Sequence, residues 1–170
     1  MRIRTETVAD YNGVFQVNVK AFGDREDEAR LVENIRNSQG FIPELSIVAE
    51  KDNEIVGHLL LSKAVVQDGE KLSDVIALAP LAVLPNVQKQ GIGKALIQEG
   101  LERCRTLGYE LVFLIGHPEY YPRFGFQPAG LHGLELKQFE VPENVFMVCE
   151  LKEGVLQRIK GELKYPETFF

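Results

Sequence analysis

The stretch NVQKQGIGKAL, Asn86 to Leu96, sets a glutamine, two glycines and two lysines between an apolar run that stops at Pro85 and an apolar pattern with helical spacing. A strand-to-helix turn presents backbone N–H groups without intrahelical acceptors at the positive end of the helix dipole. Glycines there let another group come close to the main chain. The chemistry on offer is capture of an anion, above all a phosphate, by oriented amides. Two nucleotide fingerprints fail on the letters. A phosphate loop ending in Gly93-Lys94 requires glycine where Gln88 stands and Ser or Thr where Ala95 stands. A dinucleotide loop requires a third glycine where Leu96 stands. What is left, Gln88-x-x-Gly91-x-Gly93, reads either as an anion cradle or as a plain packing turn.

The other reactive residue types are scattered. Cys104 and Cys149 are the 2 cysteines, with neither zinc-site nor disulfide-framework spacing, and read as reduced, mostly buried thiols. Cys104 falls on the apolar side of a helical pattern and Cys149 inside a strand, so neither reads as a nucleophile. Ser62 and Ser73 have no discernible base. His58, among Val56, Leu59, Leu60 and Leu61, reads as a hydrogen-bonded structural histidine, and His132 stands in a Gly-rich turn. Three separated histidines form no metal constellation. The acidic cluster Asp24, Glu26, Asp27 and Glu28 has two readings: complement to a helix dipole, or attraction of a cationic amine.

Composition bounds the partners. With 25 acidic against 19 basic residues the net charge is -6, which argues against nucleic acid and against an anionic membrane surface. A bound phosphate must then be gripped locally. The apolar run Val75 to Leu84 is broken by Pro80 and falls short of the ~20 residues that span a bilayer. The opening MRIRTETVAD has no signal-peptide core, so a soluble, cytoplasmic protein is expected. At 170 residues the chain is expected to form one domain, with a core to about residue 151 and a tail over 152–170.

The elements that must position the turn follow from periodicity. Arg2 to Arg4 alternate as a short strand. Thr7 or Asp10 is placed to cap a helix carrying Tyr11, Val14, Phe15, Val19 and Phe22, which Gly23 stops. Asp24 is the expected N-cap of a second helix with Leu31, Val32 and Ile35 inward, fading near Ser38 to Gly40. From Leu45, LSIVAEK, EIVGHLLLSKAVVQ and DVIALAPLAVL read as three antiparallel strands, with Asp68-Gly69 suiting a type I′ turn. Ile92, Leu96, Ile97, Leu101, Cys104 and Leu107 mark a third helix ended by Gly108. LVFLI then implies a parallel strand-helix-strand crossover, and Phe146 to Leu151 a last strand. The fold expected is α+β: a mixed, mostly antiparallel sheet with flanking helices. The apolar ending YPETFF is expected to pack on the sheet or on a second subunit, which leaves a homodimer open.

The segment LAPLAVLPNVQKQGIGKALI, with its Gln88-x-x-Gly91-x-Gly93 turn, resembles the strand, pyrophosphate loop and helix of the GCN5-related N-acetyltransferases. GHPEYYPRFGF resembles that family's second signature, a Tyr pair before a Phe-Gly-Phe turn. The wording is most similar to its YhbS-like bacterial branch, including the ending Tyr165 to Phe169; the likeness is close over Met1 to Ala129 and looser beyond. The resemblance implies central strands that splay, and acetyl-coenzyme A as cosubstrate. Its pyrophosphate would lie on amides from Gln88 or Lys89 through Gln90, Gly91, Ile92 and Gly93 to Lys94, and its pantetheine along Leu81, Ala82 and Val83. The side chains of Lys89 and Lys94 read equally as ligands of the anion or as solvated lysines.

It implies direct acetyl transfer to the amine of a small molecule or peptide, without a metal. A backbone N–H at Ala82 or Val83 would polarise the carbonyl. Tyr121, at the family's acid position, would reprotonate the thiolate, while Tyr120 packs. The base for the amine is open among His117, Glu119, Asp74 and water. Gly116, His117 and Pro118 depart from the Asn and Ala common ahead of that tyrosine, so His117 either substitutes for the cofactor contact of that Asn or the contact is missing. Two other readings remain: a coenzyme A-binding module without turnover, and a transferase of a longer acyl group.

Overall fold

Residues 1–170 are all described in the computed structural model. They divide into two units, 1–62 with 78–103 and 168–170, and 63–77 with 104–167.

In the first unit, β1 (Arg2–Thr5) pairs antiparallel with β2 (Ser46–Lys51), with Arg2 opposite Glu50. β2 pairs antiparallel with β3 (Glu54–Asp68), with Ser46 opposite Leu60, and β4 (Lys71–Val83) neighbours β3; residues 63–77 of these two strands and their turn belong to the second unit. Asp52 and Asn53 between β2 and β3 both have positive φ, 52° and 63°, the sign pattern of a type I′ turn. At Asp68-Gly69 only Gly69 does, at 61°, so the hairpin falls where expected but its turn is not type I′. The helix α1 (Tyr11–Ala21) follows a turn in which the Thr7 N–H donates to Asp10 Oδ2 at 2.7 Å. Arg4 clamps the Asp10 carboxylate at 2.7 and 2.9 Å, and those bonds hold its pKa down at about 2.

Asp24 is not the N-cap of the second helix. Its φ is 63°, left-handed where a capping residue needs extended backbone, and α2 (Asp27–Arg36) begins after Glu26. Its buried face is Ala29, Val32 and Ile35, with Leu31 only partly covered. Val32 and Ile35 join Val14, Val48 and Leu60 in a core cluster on which Phe169 packs.

Helix α3 (Ile92–Thr106) lies close on β3. A Cβ at Gly100 would meet Leu59 Cδ2 at 2.7 Å and Leu61 Cδ1 at 2.9 Å, so glycine is what permits the approach. The helix ends with Gly108 N–H on Arg105 O and Tyr109 N–H on Cys104 O, both 3.0 Å, the paired bonds of a Schellman motif. Leu107, expected inward, is 41% exposed because it lies past the last turn.

In the second unit, β5 (Leu111–Ile115) runs parallel to β4, with Ile76 opposite Val112 and Ala77 opposite Phe113. β6 (Phe126–Pro128) and β5 both pair antiparallel with β8 (Phe146–Glu150). β7 (Leu134–Leu136) runs parallel to β9 (Gly161–Lys164), which pairs antiparallel with β3. The sheet is thus mixed and mostly antiparallel. β6, β7 and β9, of 3 to 4 residues, are too short to show a period in sequence. In the tail, Tyr165 exchanges two bonds with the Gln138 side chain, at 2.7 and 3.1 Å. Phe169 and Tyr165 are therefore packed by their own chain.

Candidate functional site

Beyond β4 the chain makes a short 3₁₀ turn, Pro85–Val87, and reaches α3 through Gln88 to Gly91. Lys89 and Gly91 have φ of 64° and 86°, so two residues of the turn are left-handed and the amides between them swing to one side. The last inward bonds before the helix are Val87 N–H to Leu84 O and Ala95 N–H to Gly91 O, each 3.0 Å. The amides from Gln88 to Lys94 donate to no protein acceptor. Gln88, Lys89, Gln90, Gly91 and Lys94 are exposed, Gly93 is half-buried, and the Ile92 side chain is a 4% exposed anchor in the core. Unpaired amides at a helix start, held by a buried isoleucine, are what an anion cradle requires.

The strand before the turn has a free edge. Parallel pairing between β4 and β5 stops at Ala77, so Leu78 to Val83 continue without a strand on that side. Leu84 N–H donates to Val56 O of β3 at 2.9 Å. Alternation along a strand then turns Ala82 toward β3 as well, and the polar groups of Leu81 and Val83 toward the open edge. Val83 O there accepts from Gln88 Nε2 at 3.2 Å, a bond that ties the turn back onto the strand. Of the two amides expected to polarise a carbonyl, register therefore leaves Val83 N–H at the free edge and not Ala82.

Tyr121 begins a 3₁₀ turn, Tyr121–Phe124, after β5. Its ring stands edge-on to Tyr120 at 5.1 Å and to Phe126 at 5.8 Å. Burial pushes its phenol up to about 12. Gly116 sets the ring in place: a Cβ there would lie 2.6 Å from Tyr121 Cε2. This role escaped sequence reading, although a glycine at a strand end is a signal of close approach. Tyr120 packs on Phe124 at 5.3 Å and beneath Arg123 at 4.8 Å, a contact set suited to a packing residue.

The profile of the acetyltransferase (GNAT) family matches residues 11–126. The chain belongs to the GNAT acetyltransferase family. It is 32% identical to Escherichia coli YhbS, named an uncharacterized N-acetyltransferase, over 99% of this chain and 98% of that one. YjhQ of the same organism, named likewise, is 40% identical over 71% of this chain and 66% of its own length. The crystal structure of E. coli YhbS in complex with CoA superposes with a TM-score of 0.90, covering 99% of this chain and 91% of that one. A GNAT acetyltransferase from Brucella melitensis in complex with acetyl-CoA is 28% identical with a TM-score of 0.80, covering 99% and 97%. The mixed sheet and three helices are those of its relatives.

The remaining candidates of this GNAT chain are unfixed by side-chain hydrogen bonds, set in another hollow, or neutralised. His117 and Glu119 are exposed and make no side-chain hydrogen bond, while the main chain of His117 accepts from Tyr120 and Tyr121. Asp74 lies in a separate hollow with Lys71, Glu110 and Arg158, of which the last two pair at 3.2 Å. The acidic cluster is met by arginines: Arg30 on Glu26 at 2.7 Å, and Arg25 on Glu28 at 3.6 Å and Asp27 at 4.0 Å. Its charge is largely answered within α2 and its approach, which favours the helix-dipole reading. Burial raises the Cys104 and Cys149 thiols to about 12 and about 11, far from thiolate chemistry. No helix is long and apolar enough to cross a membrane.

Proposed function

We propose that the chain transfers the acetyl group of acetyl-coenzyme A directly to a primary amine. The observation that carries this reading is the run of unpaired amides from Gln88 to Lys94 next to the free edge of β4. Its relatives' complexes with CoA and acetyl-CoA support it. The amides receive a diphosphate at the start of α3, and the edge of Leu81 to Val83 pairs with the amides of the pantetheine arm as an added strand does. These main-chain donors need no positive field from a chain of net charge -6.

Val83 N–H is assigned to the carbonyl oxygen, where negative charge grows as the amine attacks. The nitrogen–carbon bond forms, the carbon–sulfur bond breaks, and the sulfur leaves as a thiolate of pKa near ~8.5. Tyr121 is assigned the proton that this thiolate takes, on the strength of its place in the Tyr-Tyr-x-x-Phe-Gly-Phe signature. With its pKa raised to about 12 by burial, the phenol is protonated at neutral pH, and as a weaker acid than the thiol it acts first as a hydrogen-bond donor to the departing sulfur, the thiolate taking its proton finally from the phenol or from water relayed through it. The ammonium's own proton is routed to water, since neither His117 nor Glu119 is fixed by a hydrogen bond.

The test is acceptor-dependent thiol release with Tyr121→Phe. General acid catalysis contributes ~10²- to 10⁴-fold, so kcat should fall by about 100-fold or more while coenzyme A binding holds. An unchanged kcat removes Tyr121 from the chemistry. Coenzyme A binding with no turnover on any amine instead supports a cofactor-binding module. A competition of acetyl, propionyl and succinyl thioesters reads the acyl preference, expected to be acetyl.

A further inference from the structure

The second unit holds a cleft that the acetyl-transfer reading leaves unused. It offers about 530 Å³ between residues 128–136 and residues 139–146, with Leu134, Leu136, Phe139 and Phe146 among its lining and the exposed Glu140 and Glu143 beside them. Its shape is built from packing. Leu134 and Phe146 are 2% and 5% exposed, Phe146 stacks on Phe113 at 5.9 Å, and Phe139 stands edge-on to Tyr165 at 5.6 Å. A floor pinned in this way exists before any ligand arrives. Leu131, 76% exposed, lies over the same cleft, an apolar side chain left in water with no protein partner to cover it.

The rim is charged and unanswered. Glu135 has Lys137 at 3.8 Å, but Glu140 and Glu143 take part in no ion pair or hydrogen bond. Two free carboxylates above an apolar floor complement a cation attached to an apolar body. A neutral apolar ligand would leave the carboxylates unused, and a polyamine would leave the floor uncovered. The volume suits a single small molecule and is within the ~300–1,000 Å³ of ordinary ligand sites.

We infer that this cleft binds a primary amine carried on an apolar body, an aryl- or alkylamine, and so sets the acceptor class of the enzyme. The identification with the acceptor rests on the acetyl-transfer reading; the binding itself does not. The ammonium sits at Glu140 and Glu143, and the hydrocarbon displaces water from Leu131, Leu136 and Phe139.

The experiment titrates the full chain, without thioester, with 2-phenylethylamine, 2-phenylethanol and spermidine by calorimetry at neutral pH. 2-Phenylethylamine should bind at least about fivefold more tightly than the alcohol or spermidine. The double substitution Glu140→Gln with Glu143→Gln should erase the preference over the alcohol and raise the KM for the amine about tenfold with kcat unchanged, as loss of uniform binding does. Both residues are exposed and unpartnered, and retained coenzyme A affinity verifies the fold of the variant. Leu131→Ser should weaken amine and alcohol alike. The inference is overturned if the alcohol binds as tightly as the amine, if the double variant keeps the preference, or if spermidine binds best. Amine-dependent thiol release that ignores Glu140 and Glu143 overturns the cleft as acceptor site and leaves the transferase reading standing. Glutamate-dependent amine binding with no thiol release from 2-phenylethylamine overturns the cleft as acceptor site and leaves it as an amine site; the transferase reading falls only if no other amine supports release.

Discussion

Two regions of the first unit use hydrogen bonds in opposite ways. Around β2 and β3, His58 is 0% exposed, with Nε2 3.0 Å from Ser46 Oγ and Nδ1 3.2 Å from Asn18 Nδ2. Ser46 Oγ donates onward to Glu6 Oε1 at 2.9 Å, and Arg36 closes the chain on Glu6 at 2.7 Å while stacking on Tyr11 at 3.8 Å. Serine, histidine and glutamate within hydrogen-bond reach look like the parts of a nucleophile. They cannot act as one. The carboxylate binds the serine rather than the far ring nitrogen, and no substrate reaches residues that are 0–1% exposed. Burial holds the His58 pKa down at about 3, so the ring is neutral and its two nitrogens are committed to neighbours.

At the Gln88 to Lys94 turn the residues are unreactive types, yet the amides are exposed and uncommitted. Bonding capacity left open at a surface marks a ligand site better than reactive side chains whose capacity is spent inside. The first region stabilises the fold; the second leaves its amides open, and it is there that we place the cofactor.

The largest expected break in this contrast is Arg36→Ala. Glu6, whose side chain is 2% exposed, would keep a buried carboxylate without its cation, a change that typically costs ~3–5 kcal/mol. Urea denaturation should show that loss, while surviving folded protein still binds coenzyme A as wild type does; a lost affinity at full stability would place Arg36 in the site.

The pH dependence comes next. His58 has a folded pKa well below its unfolded ~6.5, so the unfolded chain binds the extra proton. Its stabilising contribution is complete above pH ~6.5 and is lost as pH falls toward about 3, at up to ~1.4 kcal/mol per pH unit. Unfolding free energies from denaturation at pH 7 and pH 5 should differ by ~2 kcal/mol from this residue alone, with the midpoint lower at pH 5. Equal midpoints would mean that His58 gains its proton in the folded state.

Gly91→Val probes the open turn. With φ at 86° and nothing within 4 Å of a new Cβ, the cost is backbone strain rather than collision, ~1–3 kcal/mol for a side chain held left-handed. The chain should escape by reorienting the turn, with coenzyme A affinity down about tenfold and the melting temperature little changed. Full affinity would show that the turn is only packing. The smallest effect belongs to Lys89→Ala and Lys94→Ala, a few-fold each and fading with added salt; no change at low salt assigns both side chains to solvent.

Much of this was legible from letters because it is local. Gln88-x-x-Gly91-x-Gly93 marks its turn through backbone chemistry, and the helical spacing of Ile92 to Cys104 places the helix that follows. The ending of α2 at Arg36 was near its expected place, but its beginning was not. The left-handed Asp24 depends on how the chain leaves Gly23, which composition does not reveal. The short strands β6, β7 and β9 exist because neighbours pair with them.

The sequence by itself determined the order of the helices and the longer strands, the family to which they belong and the place of the glycine turn between strand and helix, since each depends on residues adjacent along the chain. Tertiary structure decided which backbone amide faces the free edge of β4, that Gly116 makes room for Tyr121, and that Glu140 and Glu143 stand over an apolar floor. Those are relations between residues distant along the chain or matters of strand register. Distance and register are set by packing, which no single stretch of residues encodes.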